Sequence, residues 1–164
     1  MTRWLGDREL QAWVRLIAMT ELLPGALEQQ LKRDSDLSHF EYYVMAMLSE
    51  APERTLRMTT LAARANATLS RLSHVVTRLE GRGFVERVPC PGDKRATNAV
   101  LTEAGWATVV AAAPGHVENV RETVLDALTD EQVDQLSAIA GAILTRLDPD
   151  GVMTAPYERA RVEE

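Results

Sequence analysis

Residues 57–105 of the chain carry a continuous structural pattern and read RMTTLAARANATLSRLSHVVTRLEGRGFVERVPCPGDKRATNAVLTEAG. A short helix is predicted over about 59–65, and a second helix follows the NAT turn over about 68–82. Gly81 and Gly83 provide a stop after the second helix, because glycine readily adopts the left-handed conformation that ends helices. Two β-prone runs over about 84–101 then flank a Pro-Gly turn, which predicts a hairpin. The stretch therefore predicts a helix-turn-helix followed by a β-wing.

The second predicted helix has two different faces. Its apolar residues recur at helical spacing and are expected to face a core: Leu72, Val75, Val76 and Leu79. The opposite side carries hydroxyls, one imidazole and arginines but no carboxylate: Ser70, Arg71, Ser73, His74, Thr77 and Arg78. Arginine pairs with guanine O6 and N7, and serine, threonine or histidine reaches base edges or phosphates. We expect this side to enter the major groove of double-stranded DNA. The alternative is an ordinary solvated helix face, on which acidic residues would be mixed in.

The tip of the predicted hairpin carries Asp93, Lys94 and Arg95. An arginine on a wing beside a recognition helix can enter the narrow minor groove, where negative potential is concentrated. Asp93 precedes Arg95 by two residues, so its carboxylate is expected to pair with the guanidinium and hold it in place before binding. The alternative is a surface turn with a salt bridge worth at most about 1 kcal/mol.

The charge of the chain is unevenly distributed. The formal net charge is −6, yet residues 54–95 contain nine cations and three anions, which leaves that segment at +6 and the rest at −12. An asymmetry of this kind indicates a basic surface for an anionic partner on an acidic body. Chance scatter of arginines over a helical surface is the alternative.

The remaining sequence is predicted to be helical, which gives a mostly α fold with a small β-wing. We expect an N-terminal dimerisation helix over 1–33, kinked near 24–25, and a winged core over 36–102. C-terminal dimerisation helices are expected over 103–147, where Pro114-Gly115 suggests another kink, and a flexible polar tail over 148–164. The terminal helices carry more apolar surface than a small winged core can cover, so we expect a homodimer.

The motifs VTRLEGRGFVER (76–87), DKR (93–95) and VLTEAG (100–105) closely resemble, in order and spacing, the signature of the MarR (multiple antibiotic resistance regulator) family. The resemblance extends over about residues 8–147. It implies a homodimeric winged helix-turn-helix regulator, usually a repressor, with two recognition helices in successive major grooves of a pseudopalindrome. By the same resemblance, Asp93 and Arg95 take the wing roles described above.

The resemblance also implies release by a small effector, often an aromatic or phenolic anion, bound between the dimerisation helices and the winged core. Candidate lining positions are Trp13, Ile17, His39, Tyr42, Tyr43 and Met47. The alternative for each of them is a place in the hydrophobic core.

The sequence offers no catalytic constellation. The three histidines lack close metal-ligand spacing, and there is no glycine-rich phosphate loop or nucleophile elbow, so we expect no enzyme activity, metal or cofactor. A single cysteine, Cys90, excludes an internal disulfide and fits a reducing, cytoplasmic setting. No signal peptide or membrane-spanning run is expected.

Two other functions remain open at this stage. One is a winged-helix module that binds protein partners and has lost DNA binding, with its basic surface covered by the acidic tail YERARVEE (157–164). The other is a thiol redox switch. The redox reading rests on Cys90, whose thiolate would be favoured if it is exposed between Arg87 and Lys94.

Overall fold

A computed structural model describes residues 1–154; the side chain of Lys94 and residues 155–164 of the predicted tail lie outside this description. The elements follow in the order α1 (Asp7–Ser35), α2 (His39–Glu50), β1 (Thr55–Arg57), α3 (Met58–Arg64), α4 (Leu69–Gly81), β2 (Val85–Cys90), β3 (Asp93–Leu101), α5 (Glu103–Thr123) and α6 (Asp130–Leu147). Short 3-10 turns occupy Pro52–Arg54 and Leu125–Ala127. The predicted fold class, mostly helical with a small sheet, is confirmed.

The first helix is continuous at the position where the sequence predicts a kink or a short break. α1 runs without interruption through Pro24 and Gly25. Proline cannot donate to the carbonyl four residues earlier, which belongs to Thr20. Pro24 and Thr20 are both exposed, so water can hydrate that carbonyl and the helix continues. α5 likewise continues through the exposed Pro114, and it ends at Thr123.

Three helices begin at side-chain caps. The Ser38 hydroxyl accepts from the Glu41 N–H at 3.1 Å, and the Ser38 N–H donates to the Glu41 carboxylate at 2.8 Å. Thr129 and Gln132 form the same reciprocal pair at the start of α6. At the start of α5 the Thr102 hydroxyl caps the helix. These caps satisfy backbone groups that a helix end leaves unpaired.

The sheet has three antiparallel strands in the order β1-β3-β2. β2 and β3 are the predicted wing, and their pairing is irregular between Pro89 and Cys90. β1 was not predicted; its three residues pair with β3 from Thr55 opposite Val100 to Arg57 opposite Asn98. β1 thus attaches the wing directly to the start of α3.

α4 is fixed at its inner face and at its end. The four apolar residues predicted to face the core are buried between α2, α3 and the sheet, together with Leu48 and Leu61. Gly83 adopts φ 73° after the helix, and its N–H donates to the Glu80 carbonyl at 2.9 Å. The Phe84 N–H donates to the Leu79 carbonyl at 2.9 Å, which completes a Schellman motif. The outer face of α4 is therefore held in a defined orientation.

Candidate nucleic-acid interface

The outer face of α4 carries the side chains that the sequence predicted for DNA contact. Ser70, Arg71, His74, Thr77 and Arg78 are exposed, whereas Ser73 is half-buried. The Thr68 hydroxyl caps the helix by accepting from the Arg71 N–H at 3.1 Å. The face carries hydroxyl, imidazole and guanidinium groups without a carboxylate, which suits the acceptor-rich edge of the major groove.

Two arginines of α4 are anchored against the start of α2. The Arg71 guanidinium lies 4.3 Å from the ring centroid of Phe40, within the range of a cation–π contact. The Arg78 Nε donates to the Glu41 Oε1 at 3.2 Å, although the Arg78 side chain is 59% exposed. Burial acts to raise the pKa of the Glu41 carboxyl, but hydrogen bonds from Ser38 and Arg78 hold that pKa below its ordinary value. The carboxylate therefore stays charged and retains Arg78 beside the helix.

The wing differs from the prediction in one contact. The Asp93 carboxylate does not pair with the Arg95 guanidinium; it accepts the Arg95 backbone N–H at 3.1 Å and the Arg57 Nη2 at 2.6 Å. An aspartate often bonds to the backbone N–H two residues later, and this local bond orients its carboxylate. Its second oxygen then faces Arg57, which the antiparallel pairing of β1 with β3 brings to the wing. The Arg95 side chain is exposed and has no ion-pair partner among residues 1–154.

A cleft of about 300 Å³ separates α4 from the wing. Its lining includes three arginines and one carboxylate, and it comprises Arg57, Met58, Thr59, Leu69, Ser73, Arg87, Asp93, Arg95, Ala96 and Thr97. Sequence reasoning gave Arg57 and Arg87 no part in this site. Both belong to the positively charged segment 54–95. Only the pairing of the strands distinguishes them from the other arginines of that segment, because it brings residues that are distant in sequence to the cleft. The excess of positive charge suits a phosphate of a nucleic-acid backbone.

Comparisons with known proteins agree with this geometry. The MarR family model matches residues 37–97. Sco3205 from Streptomyces coelicolor, a MarR family transcriptional regulator solved in complex with DNA, is 44% identical with a TM-score of 0.86, over 91% of this chain and 93% of Sco3205. This chain belongs to the MarR family. AbsC, a MarR family regulator of the same organism, is 37% identical with a TM-score of 0.83, over 89% of this chain and 98% of AbsC.

A curated relative belongs to the same functional class. The HTH-type transcriptional repressor YetL of Bacillus subtilis (strain 168) is 30% identical over 111 residues, which is 68% of this chain and 66% of YetL. The chain thus matches slightly less than two thirds of that relative's length. The MarR family resemblance drawn from the wing motifs is confirmed, and these relatives are transcriptional regulators rather than enzymes.

The six positions proposed for an effector pocket do not form one site within this MarR chain. His39 and Tyr42 lie close to His116 of α5, with Tyr42 and His116 ring centroids 4.6 Å apart, and Tyr43 stacks against His39. Met47 is buried in the core instead. The other two, Trp13 and Ile17, are exposed on the first half of α1. Glu28 of the same helix accepts the His39 N–H, and Trp13 lies about 22 Å along the helix from Glu28. In the single chain the six positions therefore lie in separate places, and the effector pocket stays a prediction.

The aromatic cluster contains polar groups with altered acidity. Burial lowers the pKa of His39, and burial together with the neighbouring His39 lowers the pKa of His116. Burial also raises the pKa of both tyrosines. The buried His116 Nδ1 and Gln30 Oε1 have no hydrogen-bond partner in the described part of the protein. In that part of the protein the Gln30 oxygen therefore lacks a donor, and the His116 nitrogen lacks a hydrogen-bond partner.

A second cavity of about 400 Å³ is apolar and contains none of the predicted positions. It lies between α1 and the corner where α5 meets α6, and it is lined by Met19, Leu22, Leu23, Ala26, Thr123, Val124, Ala127, Leu128 and Leu136. Its lining carries no charged side chain. The cavity adjoins the exposed apolar part of α1, because Met19 and Leu22 belong to both.

The remaining chemical features are few. Cys90 is a half-buried free thiol, and the Arg87 guanidinium is bound to α4 through Glu80 and Ser73, which removes one expected influence on that thiol. No group of three or more His, Cys, Asp or Glu side chains in the described chain is arranged to hold a metal ion. Among the described helices, none is long and apolar enough to cross a bilayer.

Proposed function

We propose that this MarR family protein binds pseudopalindromic double-stranded DNA as a homodimer and represses transcription until a small ligand releases it. The observation that supports DNA binding most strongly is the outer face of α4, which has no carboxylate and lies beside the basic cleft. In an acidic protein, exposed acids would be expected on such a surface if it had no anionic partner.

Each part of the surface has a place on DNA in this proposal. The outer face of α4 enters the major groove, where Arg71 and Arg78 reach guanines or phosphates and the hydroxyls reach base edges. Arg95 enters the adjacent minor groove from the wing, and Lys94 accompanies it. Arg57 and Arg87 line the cleft where the DNA backbone passes between the two grooves.

The dimer is proposed from apolar surface that the single chain leaves exposed. The segment just before α1, α1 itself as far as Leu22, and parts of α6 expose large apolar side chains: Trp4, Leu5, Leu10, Trp13, Val14, Ile17, Met19, Leu22, Ile139 and Leu147. Soluble monomers rarely expose a contiguous patch of this kind. A second copy would cover this patch and the adjoining apolar cavity, and it would place two α4 helices on successive major grooves about 34 Å apart.

The proposed effector is a small aromatic or phenolic molecule at the cluster around His116. A phenol hydroxyl can donate to the unpaired Gln30 Oε1, and its ring can pack against Tyr42. The cluster joins α1, α2 and α5, so a guest there would shift the dimerisation helices relative to the winged core. Repression is proposed because YetL carries the repressor name.

The test is a selection on fragmented host genomic DNA at roughly physiological salt, followed by sequencing of the DNA that the purified protein retains. Enrichment of a pseudopalindrome with half-sites about one helical turn apart would support the proposal. Arg95→Ala is expected to weaken binding to the enriched duplex by about 1–3 kcal/mol, whereas the matched control Arg121→Ala, on α5, should have no effect.

Dimerisation and release are measured on the same samples. Sedimentation at micromolar concentration should give a dimer mass, and phenolic compounds should lower the affinity for the enriched duplex. Retention of no sequence above background, or binding that does not weaken with added salt, would contradict DNA recognition and favour a protein partner for the basic surface.

A further inference from the structure

Arg87 of β2 reaches across from the wing to α4. Its Nη1 pairs with the Glu80 carboxylate, whose Oε1 also accepts the Arg87 backbone N–H at 3.0 Å. Its Nη2 donates to the Ser73 carbonyl oxygen at 2.8 Å and to the Ser73 Oγ at 3.0 Å. The Thr77 Oγ1 lies 3.3 Å from the same nitrogen. One guanidinium therefore connects the wing to three residues of the helix.

These contacts run along one side of α4. Ser73, Thr77 and Glu80 follow each other at spacings of four and three residues, so they share the side of the helix that faces the wing. The planar guanidinium presents several donors in a fixed fork, which suits several acceptors at once. The Arg87 and Glu80 side chains are only 25% and 31% exposed, so water screens their pairing less than it screens an exposed ion pair.

The bond from Arg87 determines what the Ser73 hydroxyl can do. The oxygen of that hydroxyl accepts from a cation, and its proton has no acceptor among residues 1–154. Thr77 differs, because its hydroxyl already donates to the Ser73 carbonyl at 3.0 Å. Ser73 also lines the cleft that Arg95 borders. The Ser73 hydroxyl is thus available as a donor beside the DNA-facing side of α4.

We propose that Arg87 is a positioning residue for sequence discrimination, acting through Ser73. The guanidinium fixes the Ser73 side chain so that its proton points outward and donates to an acceptor on a base edge. In the major groove these acceptors are guanine O6 and N7, adenine N7 and thymine O4. The inference rests on the proposed DNA-binding function and specifies one residue pair that gives it selectivity.

The experiment compares binding to two duplexes by fluorescence anisotropy at fixed salt. One is the duplex enriched in the genomic selection, and the other has the same composition with both half-sites scrambled. The measured quantity is the discrimination ratio, which is the dissociation constant for the scrambled duplex divided by that for the enriched duplex. It is measured for the wild type, Arg87→Lys, Ser73→Ala and the double variant. Arg121→Lys, whose arginine pairs with Asp126 near the end of α5, is the matched control.

Arg87→Lys is expected to lower the discrimination ratio about tenfold, because lysine keeps the charge but cannot reproduce the fork. Affinity for the scrambled duplex should change by less than about twofold, since the phosphate-binding charge is retained. Ser73→Ala should lower the ratio similarly, and the double variant should lose no more than either single variant. Glu80→Gln removes the charge that anchors the Arg87 Nη1 but keeps the arginine itself. This variant should also lower the discrimination ratio.

Several results would overturn the inference. An unchanged ratio in both Arg87→Lys and Glu80→Gln would show that Arg87 does not affect discrimination. Equal loss of affinity for both duplexes would make Arg87 a phosphate contact, and additive losses in the double variant would show that it does not act through Ser73. A wild-type ratio near one would refute the proposed function itself, whereas a high wild-type ratio that Arg87→Lys and Glu80→Gln both leave intact would refute this inference alone.

Discussion

Replacing Asp93 tests how the wing is prepared for DNA. In the folded chain this carboxylate holds the Arg95 N–H with one oxygen and the Arg57 guanidinium with the other. Asp93→Ala removes both contacts. Asp93→Asn removes the charge but keeps an oxygen that can accept the Arg95 N–H. The pair of variants therefore separates the backbone hydrogen bond from the ion pair.

The expected magnitudes differ for folding and for binding. The Arg57 and Asp93 side chains are 47% and 45% exposed, so solvent screening limits the ion pair to about 1 kcal/mol of folding stability. The corresponding fall in Tm is at most about 4 °C for a chain of this size. Without the carboxylate, the Arg95 backbone must be ordered on binding, which costs about 1–2 kcal/mol per residue. Operator affinity should therefore fall by roughly 5- to 30-fold per wing.

The assay is a titration of the enriched and scrambled duplexes over a range of salt concentrations. Asp93→Ala should bind the enriched duplex more weakly and the scrambled duplex as well or better, because the cleft has lost an anion. The salt slope should steepen by at most about 0.9 per protomer if Arg57 becomes free to bind a phosphate. Asp93→Asn should retain most of the operator affinity. If the alanine and asparagine variants bind the operator equally, the backbone bond does not prepare the wing and the reasoning is wrong.

Two further predictions concern stability. Gly105→Ala should lower the free energy of unfolding by about 1–3 kcal/mol in urea denaturation, because its Cβ would overlap the Phe84 carbonyl oxygen; Gly81→Ala, whose Cβ meets nothing within 4 Å, should raise it by about 0.4–1 kcal/mol. The free energy of unfolding should also decrease as the pH is lowered below about 7. The pKa values of His39 and His116 are lowered in the folded chain, whereas a histidine in the unfolded chain has a pKa of about 6.5. The unfolded chain therefore binds more protons as the pH falls through this range, which favours unfolding. Thermal denaturation between pH 5.5 and 7.5 checks this, and replacing both histidines by glutamine should flatten the profile.

The sequence predicted those features that depend on residues near each other in the chain. The buried and exposed faces of α4 follow from a helical period, and the end of that helix follows from the glycine at position 83. β1 was missed because three residues are too few to show a period. The sequence-based set of pocket candidates lacked His116, because this residue reaches Tyr42 only through the packing of α5 on α2. A sequence pattern does not specify that packing.

The partner of Asp93 shows why nearness in sequence can mislead. Arg95 is the nearest arginine, but the carboxylate uses its backbone N–H, and the guanidinium stays available for DNA. The charge partner is Arg57, 36 residues away, because β1 places it beside the wing. Arg87 makes the second connection, from β2 to Ser73 on α4. Two arginines that have no assigned base contact thus tie the wing to the helix-turn-helix, one from β1 and one from β2.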